Sequence, residues 1–106
     1  MIFVETPPFE RLREGYFGDE HYRLLQVWLM ANPEAGNVIR GSGGIRKLRW
    51  GREGRGKRGR MRVIYYYASA LSHIYFLTLY RKSEVSDLSR GQIKVLRNLV
   101  KQIEES

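Results

Sequence analysis

The chain has 106 residues, the length of one ordinary domain, and 42% of them are apolar, which is enough for one packed core. The absence of cysteine excludes disulfide frameworks, thiolate metal sites and cysteine nucleophiles, and two histidines are too few to suggest a zinc site or other metal cofactor. The formal net charge of +8 indicates a polyanionic partner, with nucleic acid ahead of an acidic protein or an anionic membrane.

The sequence also gives expectations about location. No stretch approaches the roughly 20 apolar residues of a membrane span. The first residues have neither the basic start nor the long apolar run of a signal peptide. We therefore expect a cytoplasmic protein with no membrane partner, folded as a single domain over residues 1–106.

The N-terminal third predicts a short strand followed by two helices. Residues 2–5 have strand character, and Thr6 before two prolines is typical of a helix start, with the threonine hydroxyl as the N-cap. Asp19 can cap a second helix. The apolar residues of that helix recur at helical spacing until Asn32 and Pro33 end it.

The middle of the chain predicts three antiparallel strands. Seven of the eleven glycines fall between positions 41 and 59, which indicates a strand over 45–50 followed by a mobile glycine-rich hairpin loop. Residues 61–67 and 74–80 are dense in β-forming residues, so we expect them to be the central pair of strands, joined by a turn.

The C-terminal residues predict a last helix. Ser89, with Gln92 three residues later, fits a capping box, and apolar residues follow at helical spacing. The element order β-α-α-β-β-β-α predicts an α+β fold. We expect two N-terminal helices and a C-terminal helix to pack against one face of a twisted, mostly antiparallel sheet of about four strands.

Positive charge is concentrated in one segment. Ten of the nineteen basic residues lie between positions 40 and 62, with a single acidic residue among them. Strand alternation puts Lys47 and Arg49 on one side of the sheet, and it can put Arg60 and Arg62 on the same side. We interpret this as a phosphate-binding surface, because clustered cations release counterions when they bind nucleic acid. A solubilising loop and an acidic protein partner are the alternatives.

The aromatic and histidine side chains carry less information. A tyrosine in a half-buried strand is usually part of the core, but Tyr66 or Tyr80 could stack on a base beside the cations. We interpret His21 and His73 as ordinary surface or boundary residues. The glycine-rich segment does not have the spacing of a nucleotide-binding loop, so nucleotide hydrolysis is weakly supported.

Three motifs resemble the HigB branch of the RelE toxin superfamily. They are Gly-Ser-Gly-Gly-Ile-Arg-Lys-Leu-Arg at 41–49, the run over 56–66 that ends in Arg-Val-Ile-Tyr-Tyr, and the run over 77–88 that ends in Ser-Asp-Leu. The resemblance implies a toxin of a type II toxin–antitoxin pair, with helices on a twisted antiparallel sheet, that cleaves mRNA in the ribosomal A site. It also implies a HigA-like antitoxin with a helix-turn-helix domain, through which alone the toxin would reach operator DNA.

The resemblance also assigns roles by position. It carries the family's basic strand pair to Lys47 and Arg49, its strand arginine to Arg62 and its lysine after the last strand to Lys82. We expect Arg62 to clamp the scissile phosphate. Since no obvious histidine pair is present for proton transfer, Lys57 or Lys82 is the expected base, because crowding by like charges favours a neutral lysine. We expect the RNA on either side of the scissile phosphate to be bound by other cations of the same segment: Lys47, Arg49, Arg58 and Arg60.

Two other functions remain open at this point. A toxin of the ParE branch would have the same fold but would poison DNA gyrase and would not be a nuclease. A non-catalytic module that binds RNA or the ribosome would explain the charge equally well. The dense basic face favours RNA as the target over gyrase.

Overall fold

The computed structural model describes residues 1–51, 61–85 and 87–105, which contain five strands, three α-helices and a one-turn 3₁₀ helix over Ser69–Leu71. The strands, in chain order, are β1 (Ile2–Glu5), β2 (Asn37–Val38), β3 (Arg46–Trp50), β4 (Met61–Ala68) and β5 (His73–Arg81). The helices are α1 (Pro7–Tyr16), α2 (Asp19–Ala31) and α3 (Arg90–Glu105). The predicted α+β class is confirmed, and the strand beyond the expected four is the two-residue β2. None of these helices is both long and apolar enough to cross a membrane.

The sheet has the strand order β1-β5-β4-β3-β2. β1 runs parallel to β5, and all other neighbours are antiparallel. The central pair is β4 and β5, as predicted, because both strands are rich in the β-branched and aromatic residues that suit a pleated, half-buried surface. The predicted strands over 45–50, 61–67 and 74–80 are confirmed to within one residue at each end.

One register shift interrupts the pairing of the two central strands. Ile64 lies opposite Thr78 and Tyr65 lies opposite Phe76, so Leu77 is an extra residue in β5. Such a bulge resets the alternation of side chains along the strand. Simple alternation of side chains therefore does not predict which face each β5 residue occupies on the two sides of this bulge.

Helices cover both faces of the sheet, which corrects the expectation that they cover one. Val63 and Tyr65 of β4 pack in a cluster with α1 and α2, whereas Ile64 between them packs with Leu96 and Val100 of α3. Neighbouring residues of a strand point to opposite faces, so α3 lies across the sheet from the other two helices. The prediction failed because an amphipathic pattern shows that a helix buries one stripe without showing which face of the sheet receives it.

Thr6, the residue between β1 and α1, is hydrogen-bonded to β5. Thr6 occupies the N-cap position, but its hydroxyl makes no capping hydrogen bond. It lies instead within 2.8 Å of the carbonyl oxygen of Phe76 and 3.1 Å of that of Leu77. The predicted cap is thus replaced by a link between α1 and the bulged part of β5. For α2 the N-cap is Gly18, one residue before the predicted Asp19.

The capping box at the start of α3 is confirmed. The backbone N–H of Ser89 donates to Gln92 Oε1 at 2.8 Å, and the backbone N–H of Gln92 donates to Ser89 Oγ at 3.1 Å. Each bond satisfies an amide that has no partner within the helix. This fixes where α3 begins, on the face of the sheet that carries the candidate site.

Candidate nucleic-acid interface

A row of cations crosses two neighbouring strands on the α3 face of the sheet. Arg49 of β3 lies directly opposite Arg62 of β4, and Lys47 lies two residues from Arg49 on the same face. Strand alternation predicts this shared face, and the structure brings the three side chains together on it. We call Lys47, Arg49 and Arg62 the cationic row. Beyond it, Tyr80 of β5 lies opposite Arg62.

The burial of Arg62 distinguishes it from the other two cations of the row. The residue is 7% exposed, whereas Arg49 is exposed. Its guanidinium makes one hydrogen bond within the described residues, a long one of 3.4 Å to the carbonyl oxygen of Met61, and no ion pair there. The nearby carboxylate of Asp87 interacts with it only beyond ion-pair distance, so the hydration that this buried charge loses is only partly replaced. The site is therefore suited to receive an anion.

A carboxylate borders the row on the side of α3. Asp87 Oδ1 lies 3.3 Å from Lys47 Nζ and accepts a hydrogen bond from the backbone N–H of Leu88 at 2.9 Å. That backbone bond lowers the pKa of Asp87, and the nearby Lys47 and Arg62 charges lower it further. Asp87 thus links the approach to α3 with β3. Sequence reasoning gave it no role, although its Ser-Asp-Leu motif was part of the resemblance.

The two tyrosines proposed as base-stacking residues differ in position. Tyr80 is 6% exposed, so its ring is closed to a stacking base, which corrects that prediction. Burial raises the pKa of its hydroxyl, Asp87 raises it further and Arg62 opposes the rise. Tyr66 is half-buried against α3, where burial and Glu104 raise its pKa. It lies four residues along β4 from Arg62, about 13 Å at strand spacing, and so stands apart from the cationic row.

The remaining predicted contacts are only partly described. Lys57, Arg58 and Arg60 lie outside the described residues, as does the rest of 52–60, on which the predicted glycine-rich hairpin loop falls. Lys82 is exposed in the turn directly after β5. Its neighbour Arg81 pairs with Met61 at the start of β4, so Lys82 and Arg62 lie at the same end of the sheet.

The two histidines lie away from the cationic row, as ordinary structural residues would. His73 pairs with Ala68 at the opposite end of β5, and its Nδ1 lies 3.2 Å from the hydroxyl oxygen of Tyr75. His21 is on α2, which packs on the other face of the sheet. Within residues 1–51, 61–85 and 87–105, no three histidine or carboxylate side chains cluster closely enough to hold a metal ion.

A groove continues from the cationic row along α3, with a volume of about 1080 Å³. One wall is the segment over 37–41 and the other is the first half of α3. Its described lining includes one carboxylate, Asp87, and five cations: Arg40, Lys47, Arg90, Lys94 and Arg97. We call this the α3 groove. The three helix cations were missed because charge was summed by segment, although their spacing of four and three residues places them on one side of a helix.

The turn between β2 and β3 holds Arg40 at the groove. Gly41 and Gly43 have φ angles of 76° and 78°, a region that glycine enters without steric cost. Ser42 between them is fully buried, and its hydroxyl donates to the carbonyl oxygen of Ile39 at 2.6 Å. Ser42 Oγ also accepts a hydrogen bond from the backbone N–H of Ile45 at 3.0 Å. These bonds and the glycine conformations fix the wall of the groove.

Comparison with known proteins assigns this arrangement to a family. The sequence matches the family model described as "RelE toxin of RelE / RelB toxin-antitoxin system" over residues 34–106, from before β2 to the end of α3. The chain belongs to the RelE toxin family. The matched part of this RelE-family toxin contains both the cationic row and the α3 groove. RelE-family toxins are ribosome-dependent endoribonucleases, and the toxin–antitoxin family implies an antitoxin partner.

A solved structure supports the fold of this RelE-family toxin. It is the E. coli toxin RelE in the free state, as a mutant in which two arginines are replaced by alanine. The two are similar with a TM-score of 0.54 at 16% sequence identity, over 96% of each chain. At this identity the similarity shows the shared fold of three helices on a mostly antiparallel sheet.

Proposed function

We propose that this chain is a HigB-like toxin that cleaves mRNA on the ribosome, with Arg62 holding the scissile phosphate. The observation that carries the proposal is the nearly buried Arg62 guanidinium, which forms no direct ion pair in the described part of the chain. Arg49 lies opposite it and Lys47 beside it, so an RNA phosphate would meet several positive charges at once. The match to the RelE family supports RNA as the target.

The proposed reaction is a transfer within the RNA strand. The 2′-oxygen of a ribose attacks the adjacent phosphorus and loses its proton to a base. The bond from phosphorus to the 5′-oxygen breaks, and that oxygen gains a proton, which leaves a 2′,3′-cyclic phosphate. The phosphorane carries an additional negative charge as it forms. In this proposal the Arg62 guanidinium neutralises this charge, and preorganised electrostatic stabilisation of this kind is often the largest contribution to catalysis.

The proton transfers are assigned to lysines. Lys82 lies at the same end of the sheet as Arg62, and Lys57 lies in the sequence between β3 and β4. Both histidines lie elsewhere, which supports lysine as the base in this proposal. Further RNA contacts are proposed for Lys47, Arg49, Arg58 and Arg60. Binding to the ribosome would position the mRNA and contribute to the rate through orientation.

The proposed partners follow from this function. A HigA-like antitoxin with a helix-turn-helix domain would silence the toxin, and operator DNA would be contacted through that antitoxin. The cytoplasm, where translating ribosomes are found, is the proposed location. The clustered cations of the α3 face would attract an acidic segment of such an antitoxin as well as RNA.

The test is an Arg62→Ala variant expressed in bacterial cells beside the wild-type chain. We expect the wild type to arrest growth and to produce mRNA cuts that primer extension maps, and the folded Arg62→Ala variant to do neither. Arg23→Ala is the matched control, because Arg23 is an exposed arginine on α2, on the opposite side of the sheet. Cleavage by the folded Arg62→Ala variant would refute the assignment.

The same experiment separates the alternative functions. Ribosome binding by the wild type without any mRNA cut would indicate a non-catalytic module. DNA replication that stops before translation would indicate a gyrase poison of the ParE branch. Either result would replace the nuclease proposal.

A further inference from the structure

We propose that the α3 groove binds the sugar-phosphate backbone of single-stranded RNA on one side of the scissile phosphate. The inference deepens the proposed nuclease function and rests on it, because it extends the RNA path beyond Arg62. It assigns a binding role to three helix residues that lie outside the cationic row: Arg90, Lys94 and Arg97.

The spacing of the helix cations suits a stacked single strand of nucleic acid. Arg90, Lys94 and Arg97 are separated by four and three residues, so they follow one side of α3. At a rise of 1.5 Å per residue the stripe is about 10 Å long. A stacked nucleic-acid strand advances by about 3.4 Å per phosphate, so the stripe is long enough for several consecutive phosphates.

The groove cations are available for a ligand. Arg40, Arg90, Lys94 and Arg97 are all exposed, and none takes part in an ion pair within the described ranges. Asp87, the carboxylate of the described lining, is already engaged by Lys47. The groove therefore presents unpaired positive charge, which binds polyphosphate backbones by releasing their counterions.

The groove is continuous with the proposed site of cleavage. Lys47 belongs to both, since it lines the groove and stands in the cationic row. An RNA strand with one phosphate at Arg62 would pass Lys47 and then enter the groove. Apolar side chains of Val38 and Ile93 also line it and provide surface for riboses or bases.

An acidic protein segment is the other polyanion that could enter such a groove. The continuity through Lys47 favours RNA, because a strand held at Arg62 has to leave the site along one of its sides. RNA and an acidic protein segment are distinguished by measuring the binding of each kind of polyanion to the same set of variants.

The test compares two double variants that lose the same charge. Lys94→Gln with Arg97→Gln removes two groove cations, and Arg11→Gln with Arg23→Gln removes two exposed cations from the α1 and α2 side. The probe is a 2′-O-methyl RNA of about 12 nucleotides, which cannot be cleaved, so binding is measured apart from catalysis. Its dissociation constant is determined at several salt concentrations for both variants and the wild type, and circular dichroism confirms that all are folded.

We expect the groove variant to bind this RNA about tenfold more weakly, with the slope of log K against log salt reduced by about 1.4, or 0.7 per lost contact. The control variant should bind like the wild type. Equal affinity of the groove variant and the wild type would overturn the inference, as would a wild type that does not bind the RNA. Polyglutamate serves as a second probe. If the groove variant bound polyglutamate more weakly but bound RNA normally, the inference would be overturned in favour of an acidic protein.

The outcome is distinguishable from failure of the nuclease proposal. If Arg62→Ala still cleaves mRNA while the groove variant loses RNA affinity, the catalytic assignment fails and the groove stands as an RNA site. If Arg62→Ala is inactive and the groove variant binds normally, the groove inference fails alone.

Discussion

Arg49 and Arg62 lie directly opposite each other on neighbouring strands, with their side chains on the same face of the sheet. Like charges in directly opposed positions destabilise a sheet. Neither arginine takes part in an ion pair within the described residues, so no direct contact with a carboxylate offsets the repulsion there. A protein retains such an arrangement where a bound anion neutralises the two positive charges. The local loss of stability is then explained by the function of the site.

The first prediction follows from this opposition. Arg49→Gln should raise the free energy of unfolding by about 0.5 kcal/mol, because it removes the repulsion while keeping a strand-compatible side chain. The same change should weaken mRNA cleavage. Urea denaturation measures the first effect and primer extension the second.

Arg46→Gln is the control on the same strand. Arg46 faces the other way and donates hydrogen bonds to the carbonyl oxygens of Glu34 and Gly36 at 3.1 and 2.8 Å. Its replacement should lower stability by about 1 kcal/mol. A loss of stability in Arg49→Gln would contradict the interpretation of the opposed pair.

A second prediction concerns a tyrosine in the core. The Tyr65 hydroxyl accepts a hydrogen bond from the backbone N–H of Gly36 at 2.9 Å and donates one to the carbonyl oxygen of Pro33 at 2.8 Å. Tyr65→Phe leaves both backbone groups without their partner and should lower the free energy of unfolding by about 2 kcal/mol. Urea denaturation measures the change, and a loss below about 0.5 kcal/mol would show that water replaces the hydroxyl.

The sequence predicted the parts of the fold that depend on local patterns. The three long strands, the capping box at Ser89 and the shared face of Lys47 and Arg49 follow from propensity, helix capping and alternation, which need no knowledge of distant residues. Arg62 could be predicted to share the face of Lys47 and Arg49, because consecutive strands such as β3 and β4 commonly pair with each other. The cationic row was therefore accessible from the sequence.

Other features depend on contacts that local patterns do not encode. The extra residue Leu77 in β5 exists because of pairing with β4, and the Thr6 hydroxyl finds its partners some 70 positions away. Which face of the sheet α3 covers is likewise set by the whole core. The α3 groove is formed by that choice, since it brings Lys94 beside the turn at Arg40.

A third prediction uses the contrast between two buried tyrosines. Unlike Tyr65, Tyr80 has a buried hydroxyl with no hydrogen-bond partner within the described residues. Removing an unpaired buried hydroxyl relieves a desolvation cost. Tyr80→Phe should therefore leave the free energy of unfolding unchanged or raise it by about 1 kcal/mol, as judged by urea denaturation. A marked loss of stability would mean that the hydroxyl has a partner after all.

The last prediction concerns the pH dependence of the link between Asp87 and Lys47. The folded-state pKa of Asp87 lies below its ordinary value of 3.8, because of its backbone hydrogen bond and the nearby cations. A carboxylate with a lowered pKa adds stability above its ordinary pKa and loses that contribution as the pH falls through its folded pKa. The difference in unfolding free energy between the wild type and Asp87→Asn should thus be positive near about pH 6 and shrink below 3.8. Because the pair is exposed, about 1 M salt should reduce the difference at the higher pH. Urea titrations of both proteins, near about pH 6 and below the ordinary Asp87 pKa, measure this difference. A difference that does not change with pH would show that the ionised form of Asp87 contributes nothing to the fold.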